Sequence, residues 1–170
     1  MGSIRVAVLT ISDRCSRGET PDVSGAKLCE IFAKEPFTVA LYATVPDERK
    51  QISGALRRWS DEDLADVIIT TGGTGLSPRD CTAESTRKVL TRELPGISYL
   101  LLADGLKHTL LAPLSQGVSG LRGQTMIINL PGSPAAATQG AEALIPILPH
   151  AVDVIRGRDK DHPVETVSAI

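Results

Sequence analysis

Apolar residues along this chain fall into two alternating kinds of pattern. Ile4–Ile11 (I-R-V-A-V-L-T-I) is a nearly continuous apolar, β-branched run, which predicts a strand buried on both faces. Phe37–Val45, Asp66–Thr71 and Thr125–Leu130 (T-M-I-I-N-L) predict three more strands. Between them the spacing changes to that of helices. Ala26–Lys34 puts Leu28, Ile31 and Phe32 on one face, and Glu48–Trp59 does the same with Ile52, Leu56 and Trp59. Helices are also predicted over Ala83–Arg92, Ile97–Leu106, Ala135–Ala143 and Ile145–Ile155, with Pro146 in the first turn of the last. Leu110–Gly123 bears glycines and reads as irregular, and 157–170 as a tail or linker. The alternation predicts an α/β domain over 4–156, with a mostly parallel sheet and helices on both faces in a three-layer αβα sandwich.

In such a sheet the loops at 12–25, 46–48, 72–80 and 131–134 all leave the carboxyl ends of strands, where open α/β sheets bind ligands. The most informative of them runs from Thr70 to Thr82, T-T-G-G-T-G-L-S-P-R-D-C-T. Gly72, Gly73 and Gly75, with Thr71, Thr74, Ser77 and Pro78 around them, exceed what chain reversal requires. Backbone amides in such a turn can line a phosphate pocket. No Gly-Lys-Ser/Thr follows, and the first strand lacks G-x-G-x-x-G, so neither the Walker loop nor the dinucleotide fingerprint applies.

Two acids compete between structural and chemical readings. Asp80 can cap the following helix, and Asp47 can be a first-turn acid after Pro46. Together, on neighbouring strands, two carboxylates plus substrate phosphates can hold Mg²⁺. Ser12 and Asp13 close the first strand; Asp22, Ser24 and Gly25 open the first helix as caps or as an anion site. Ser133 can cap the helix that Pro134 begins. Ser115 and Arg122 lie in the irregular segment, where each is more often solvated than a ligand.

Bulk properties narrow the classes. The 170 residues carry a net charge of −2, so nothing points to a basic nucleic-acid or membrane surface. Three cysteines without a C-x-x-C favour a reducing compartment, and the start of the chain lacks the apolar core of a signal peptide; a cytoplasmic location is expected. His108 lacks the partner spacing of a metal site.

The pieces V-A-V-L-T-I-S-D (6–13), D-V-S-G (22–25), V-P-D-E (45–48), T-T-G-G-T-G-L-S-P-R-D (70–80), L-S-Q-G-V-S-G-L-R-G (114–123) and I-I-N-L-P-G-S-P (127–134) occur in one order. As a set the chain resembles the molybdopterin adenylyltransferases of molybdenum cofactor biosynthesis, in particular the N-terminal domain of gephyrin. The resemblance implies a molybdopterin-binding fold, a homotrimer, and transfer of AMP from Mg-ATP to the phosphate of molybdopterin with release of pyrophosphate. It places the two essential aspartates on Asp47 and Asp80, the nucleotide and phosphate loop on Gly72 to Ser77, a second nucleotide loop on Gly132, Ser133 and Pro134, and the pterin-phosphate segment at Ser115. It also implies a molybdenum-insertion domain in the same or a partner chain.

Three positions depart from that pattern. Gln116 stands where the family usually has arginine, which should weaken pterin binding unless Arg122 compensates. Cys81 and Ala83 replace valine and proline at the start of the helix. A non-catalytic molybdopterin-binding or trimerising module is therefore the alternative, and a competence-type pyrophosphatase, which shares the sheet and glycine loop, a more distant one.

Overall fold

The structure is a computed structural model and describes residues 3–158. Strands β1 (Ile4–Ile11), β2 (Phe37–Val45), β3 (Val67–Thr71) and β6 (Thr125–Leu130) form where the apolar runs place them. Two further strands, β4 (Arg92–Glu93) and β5 (Ser119–Arg122), extend the sheet to the order β2-β1-β3-β6-β5-β4. The first four are parallel; β5 pairs antiparallel with β6, and β4 antiparallel with β5. Seven α-helices are described: α1 (Asp13–Ser16), α2 (Val23–Phe32), α3 (Arg49–Asp61), α4 (Thr82–Arg87), α5 (Pro95–Leu106), α6 (Pro134–Leu144) and α7 (Leu148–Ile155).

Strand alternation builds the three layers. Val6 and Val8 of β1, Val67 and Ile69 of β3, and Ile128 of β6 meet Leu28 and Phe32 of α2, Ala137, Ala141 and Leu144 of α6, and Leu148 of α7. On the other face Ala7 and Leu9, Ile68 and Ile127 meet Ile52, Leu56 and Trp59 of α3. Successive side chains of a strand point to opposite faces, so a strand covered on both sides must be apolar at every position. Trp59 packs its helix on the sheet.

Several sequence expectations are corrected. The segment Leu110–Gly123 is not wholly irregular: its end is β5, whose S-G-L-R lacks the β-branched signature but is held by the β6 ladder. The helix expected over Ala83–Arg92 stops at Arg87, because Arg92 is drawn into the edge strand β4. Pro146 lies in the turn before α7, and Pro149 occupies that helix's first turn instead. Of the tail, Gly157 lies in the turn that follows α7, Arg158 N donates to Asp153 O, and 159–170 lie outside the described residues. No described helix is long and apolar enough to cross a membrane.

The amino edge of the sheet is closed by ions. Asp66, 6% exposed, accepts from Arg5 N and from the guanidinium groups of Arg5 and Arg156. Asp63 joins the same two arginines. Burial pushes the Asp66 carboxyl up, but the Arg5 hydrogen bonds and the charges of both arginines outweigh it, and the group titrates below its usual range.

Such a group stabilises the fold above its unfolded pKa, and the stabilisation is lost as pH falls through the folded one. Arg156→Leu should therefore lower the unfolding free energy by about 2 kcal/mol at pH 7. In urea titrations the deficit should shrink as the pH drops into the range where Asp66 protonates.

Candidate functional site at the carboxyl edge

The strand order sets the loops after Ile11, Val45, Thr71 and Leu130 side by side. The loops after Ile11 and Leu130 carry local bonds that the sequence anticipates. Ser12 Oγ accepts from Cys15 N at 3.2 Å, Asp22 Oδ1 from Gly25 N at 2.9 Å, and Ser133 Oγ from Ala136 N at 3.2 Å, so all three are helix caps. Pro134 is the first residue of α6. Other bonds join the loops to one another. Ser24 Oγ donates to Gly132 O at 2.8 Å, and Thr71 Oγ1 donates to Pro131 O at 2.7 Å.

The glycine turn needs its glycines for two reasons. Gly72 and Gly73 have φ of 98° and 63°, a region L-residues with side chains rarely adopt. A Cβ on Gly72 would also lie 2.2 Å from Ile11 O, and one on Gly73 would meet Thr82 Oγ1 at 2.3 Å and Asp47 Oδ1 at 2.9 Å. A Cβ on Gly75 would meet Asp80 Oδ2 at 2.9 Å. The turn thus runs between the two carboxylates, with Asp47 beside Gly73 and Asp80 beside Gly75. Thr82, the first residue of α4 and not its cap, donates its hydroxyl to Gly72 O at 2.8 Å and its N–H to Gly73 O at 3.0 Å. Asp80 does not cap α4 either: Cys81 is the N-cap residue, and Asp80 Oδ2 accepts from Ser77 N at 2.8 Å.

Asp47 and Asp13 hold each other's backbone. Asp13 N donates to Asp47 Oδ2 at 2.9 Å, and Asp47 N donates to Asp13 Oδ1 at 3.1 Å. Asp13 also takes a two-pronged contact from Arg79, whose Nη2 lies 2.8 Å from Oδ2. That guanidinium bond, the larger influence, holds the Asp13 carboxyl below its usual range. Asp47 goes the other way. Partial burial pushes its carboxyl up; the bond from Asp13 N opposes this, while the charges of Asp13 and Asp80 add to it. Each of Asp47 and Asp80 has one oxygen in a backbone bond, and none is recorded for the other oxygen among the described residues. No group of three or more His, Cys, Asp or Glu that could hold a metal occurs among the described residues. The pair fits a cation whose remaining ligands are substrate oxygens and water. Its chemistry suits Mg²⁺, and a cation would offset the burial, and the lesser repulsion from Asp13 and Asp80, that raise Asp47.

Three cavities open at this edge, two of them against the pair. One of about 500 Å³ is lined by Thr10, Ser24, Asp47, Gly72, Asp80 and Gly132, among others. One of about 230 Å³ is lined by Gly73 through Ser77, Asp80 and Gln116. A third, about 210 Å³ and more apolar, is lined by Tyr99, Leu101, Pro113, Ser115, Gly117 and Asn129 in part. Ser115 Oγ donates to Thr74 Oγ1 at 3.1 Å, which ties this third cavity to the glycine turn.

Among the residues singled out from sequence, Ser12, Asp22, Ser24, Asp47, Thr71, Gly72, Gly73, Asp80, Gly132 and Pro134 line the first cavity, and Thr74, Gly75 and Ser77 the second. Gly25 sits against Thr10 and Asp22. Asp13 stands one bond away, and Pro78 lines a separate hollow beside Asp47. Arg122 is not brought to the site. It ends β5 opposite Thr125, at the amino end of β6, where it binds Asp61 and Val89 O. It cannot compensate for Gln116. Sequence reading missed Thr10, whose buried hydroxyl has no partner among the described residues, and Tyr42, which donates to Asp22 at 2.6 Å. Nothing in a strand interior distinguishes either from a packing residue. Arg79 sat inside the P-R-D block but carried no spacing signal of its own.

The fold and this edge define an α/β domain with a glycine turn held between two carboxylates. Residues 7–150 match the profile of the family described as "Probable molybdopterin binding domain", and the chain belongs to that family. It is 39% identical over 160 residues to a protein of Helicobacter pylori named molybdopterin adenylyltransferase, covering 92% of this chain and 90% of that one. It is 43% identical over 157 residues to the molybdenum cofactor synthesis protein cinnamon of Drosophila melanogaster, covering 91% of this chain but only 26% of that longer protein. The crystal structure of the molybdopterin biosynthesis enzyme MoaB of Thermus thermophilus superposes with a TM-score of 0.86 at 47% identity, over 93% of this chain and 99% of that one.

Because Gly73 combines a positive φ with two close neighbours, Gly73→Ala should cost about 2–3 kcal/mol of stability. The loss should be readable in thermal unfolding, whereas Gly54→Ala, with open space at its Cβ and a helical position, should be neutral or stabilising.

Proposed function

We propose that the chain is a molybdopterin adenylyltransferase that transfers AMP from ATP to the phosphate of molybdopterin and releases pyrophosphate. The observation that carries this reading is the pair Asp47 and Asp80 on either side of the Gly73–Gly75 turn. The names of the relatives from Helicobacter pylori support it. The large cavity, with Ser24, Gly72, Gly132 and Ser133 at or near its wall, suits the nucleotide; the apolar cavity behind Ser115 suits the pterin.

The acceptor phosphate is already ionised at neutral pH, so the reaction needs no general base. Charge neutralisation is the main task, because donor and acceptor are both anions. Mg²⁺ bound between the carboxylates and the phosphates would supply positive charge to the transferring phosphoryl group. The chain's own contribution is position. The Asp13–Asp47 backbone bonds fix one carboxylate and the Ser77 N–H fixes the other, so both are preorganised before substrate arrives.

The domain would act over 4–156, in the cytoplasm and as a homotrimer, and a molybdenum-insertion partner domain accords with relatives of which the chain spans a quarter to a half. A second reading, a pterin-binding module without turnover, is favoured by Gln116. Its Nε2 donates to Pro113 O, and it lines the cavity of Gly75 and Ser77 without a cation.

Incubation with molybdopterin, ATP and Mg²⁺ separates the two: the enzyme yields adenylylated molybdopterin and pyrophosphate, the module binds pterin and yields neither. Asp80→Asn should lower turnover roughly 100-fold or more. Asp47→Asn should do the same and should not lower the melting temperature at pH 7. A carboxyl whose pKa is raised by burial stabilises the fold below its unfolded pKa and loses that as pH rises through the folded one, so ionised Asp47 is a burden at neutrality. A clear drop in melting temperature in Asp47→Asn would contradict that account.

A further inference from the structure

A fourth cavity lies beside Asp47 and has no part in the scheme so far. It measures about 390 Å³, and Asp47, Arg49, Lys50, Pro78, Arg79 and Cys81 line it. Three cationic side chains from two separate elements, the start of α3 and the 73–81 loop, border one open space. Glu48 is the fourth charged neighbour besides Asp47, and its Oε2 accepts from Gln51 Nε2 at 2.9 Å. Glu48 is also the N-cap residue of the thirteen-residue helix α3, and its side chain makes no capping bond there.

The position of the cavity matters as much as its charge. Asp47 belongs to its wall and to that of the 500 Å³ cavity, while Asp80 belongs to the 500 Å³ and the 230 Å³ cavities. The two carboxylates stand where the three spaces meet. The 73–81 loop divides the outer two: Gly73 to Ser77 face one, and Pro78, Arg79 and Cys81 face the other.

We propose that the cationic cavity holds the β- and γ-phosphates of the nucleotide and then the leaving inorganic pyrophosphate. This rests on the adenylyl-transfer reading. In that reaction an oxygen of the acceptor phosphate forms a bond to the α-phosphorus, and the bond from that phosphorus to the bridging oxygen of the β-phosphate breaks. The bonding pair stays on pyrophosphate, so negative charge accumulates on the leaving side. Entering and leaving oxygens must be roughly in line through phosphorus. An acceptor in the space of Ser77 and Gln116 then directs the leaving group across the carboxylates toward Arg49, Lys50 and Arg79. Arg79 serves as the movable member. It binds Asp13 through two nitrogens while its side chain is 61% exposed, and a polyphosphate oxyanion competes for the same guanidinium face. Asp13 retains its bond from Asp47 N when Arg79 swings away.

The test is calorimetric titration of the whole chain with inorganic pyrophosphate and, separately, with AMP, each with Mg²⁺ present. The variant Arg49→Ala/Lys50→Ala is compared with Arg57→Ala/Arg58→Ala, which removes the same charge from the other end of α3. We expect pyrophosphate affinity to fall about 10-fold or more in the first variant only, with AMP affinity unchanged in both. Absence of pyrophosphate binding in the wild type overturns the proposal. So does an equal affinity in wild type and Arg49→Ala/Lys50→Ala, or an equal loss in the two variants, which would mean bulk charge rather than a site. If the wild type forms no adenylylated product but binds pyrophosphate in a manner dependent on Arg49 and Lys50, the adenylyl-transfer reading fails and the pyrophosphate site stands.

Discussion

Everything at the carboxyl edge depends on how closely Gly72 packs against its neighbours. Parallel strands lie under 5 Å apart, so the loops leaving β1, β3 and β6 must diverge within very little space. Gly72 has Ile11 O where its Cβ would be, and Gly132 in turn sits 3.1 Å, from its own notional Cβ, to Gly72 Cα. Main chain therefore packs on main chain across three strands. Ser24 and Thr71 add hydroxyl bonds to Gly132 O and Pro131 O, and these bind the first and third loops to the last. A side chain at Gly72 would part the loops, and with them the walls of the nucleotide-sized cavity.

A second constraint lies just beneath. Asn129 of β6, 3% exposed, donates to Thr70 Oγ1 of β3 and Thr86 Oγ1 of α4, and accepts from Val118 N. A buried amide is expensive unless its bonds are made, and here three of them are. Those bonds also carry information: they register α4 on the sheet and bring the chain from Val118 into β5. The antiparallel addition of β5 and β4 thereby follows from one asparagine as much as from apolar pattern.

The parallel half of the sheet was legible because β1, β3 and β6 are covered on both faces and read as near-continuous apolar runs, while the edge strand β2 alternates more and less buried positions over most of its length. β1, β2 and β6 begin and end where the pattern places them. β4 and β5 were not legible: two exposed residues and an S-G-L-R segment owe their strand form to partners distant in sequence. The same holds in the site. Gly72, Gly73 and Asp47 announced themselves through turn chemistry and strand ends, since those signals are local. Arg122 misled because an arginine near a candidate loop gives no hint that a hairpin carries it to the opposite edge. Thr10 and Arg79 were missed because their significance lies in what surrounds them, an unpartnered hydroxyl in one case and Asp13 in the other.

The two edges of the sheet show what distinguishes a structural carboxylate from one poised for ligand. Asp66 and Asp47 are both aspartates withdrawn from water, and burial pushes both upward. At the amino edge Arg5 and Arg156 converge on Asp66, reverse the shift, and pair its charge within the chain. At the carboxyl edge the nearby arginine, Arg79, spends its two-pronged contact on Asp13 instead. Asp13 is then neutralised, yet it still adds repulsion to Asp47, as does Asp80. Asp47 is oriented by Asp13 N and feels the Arg79 charge without a direct ion pair, which leaves an oxygen available to a ligand-borne cation. Arginine bound to Asp13, with Asp47 left without a directly paired cation, accords with the cation-bound polyanion that the proposed reaction would bring.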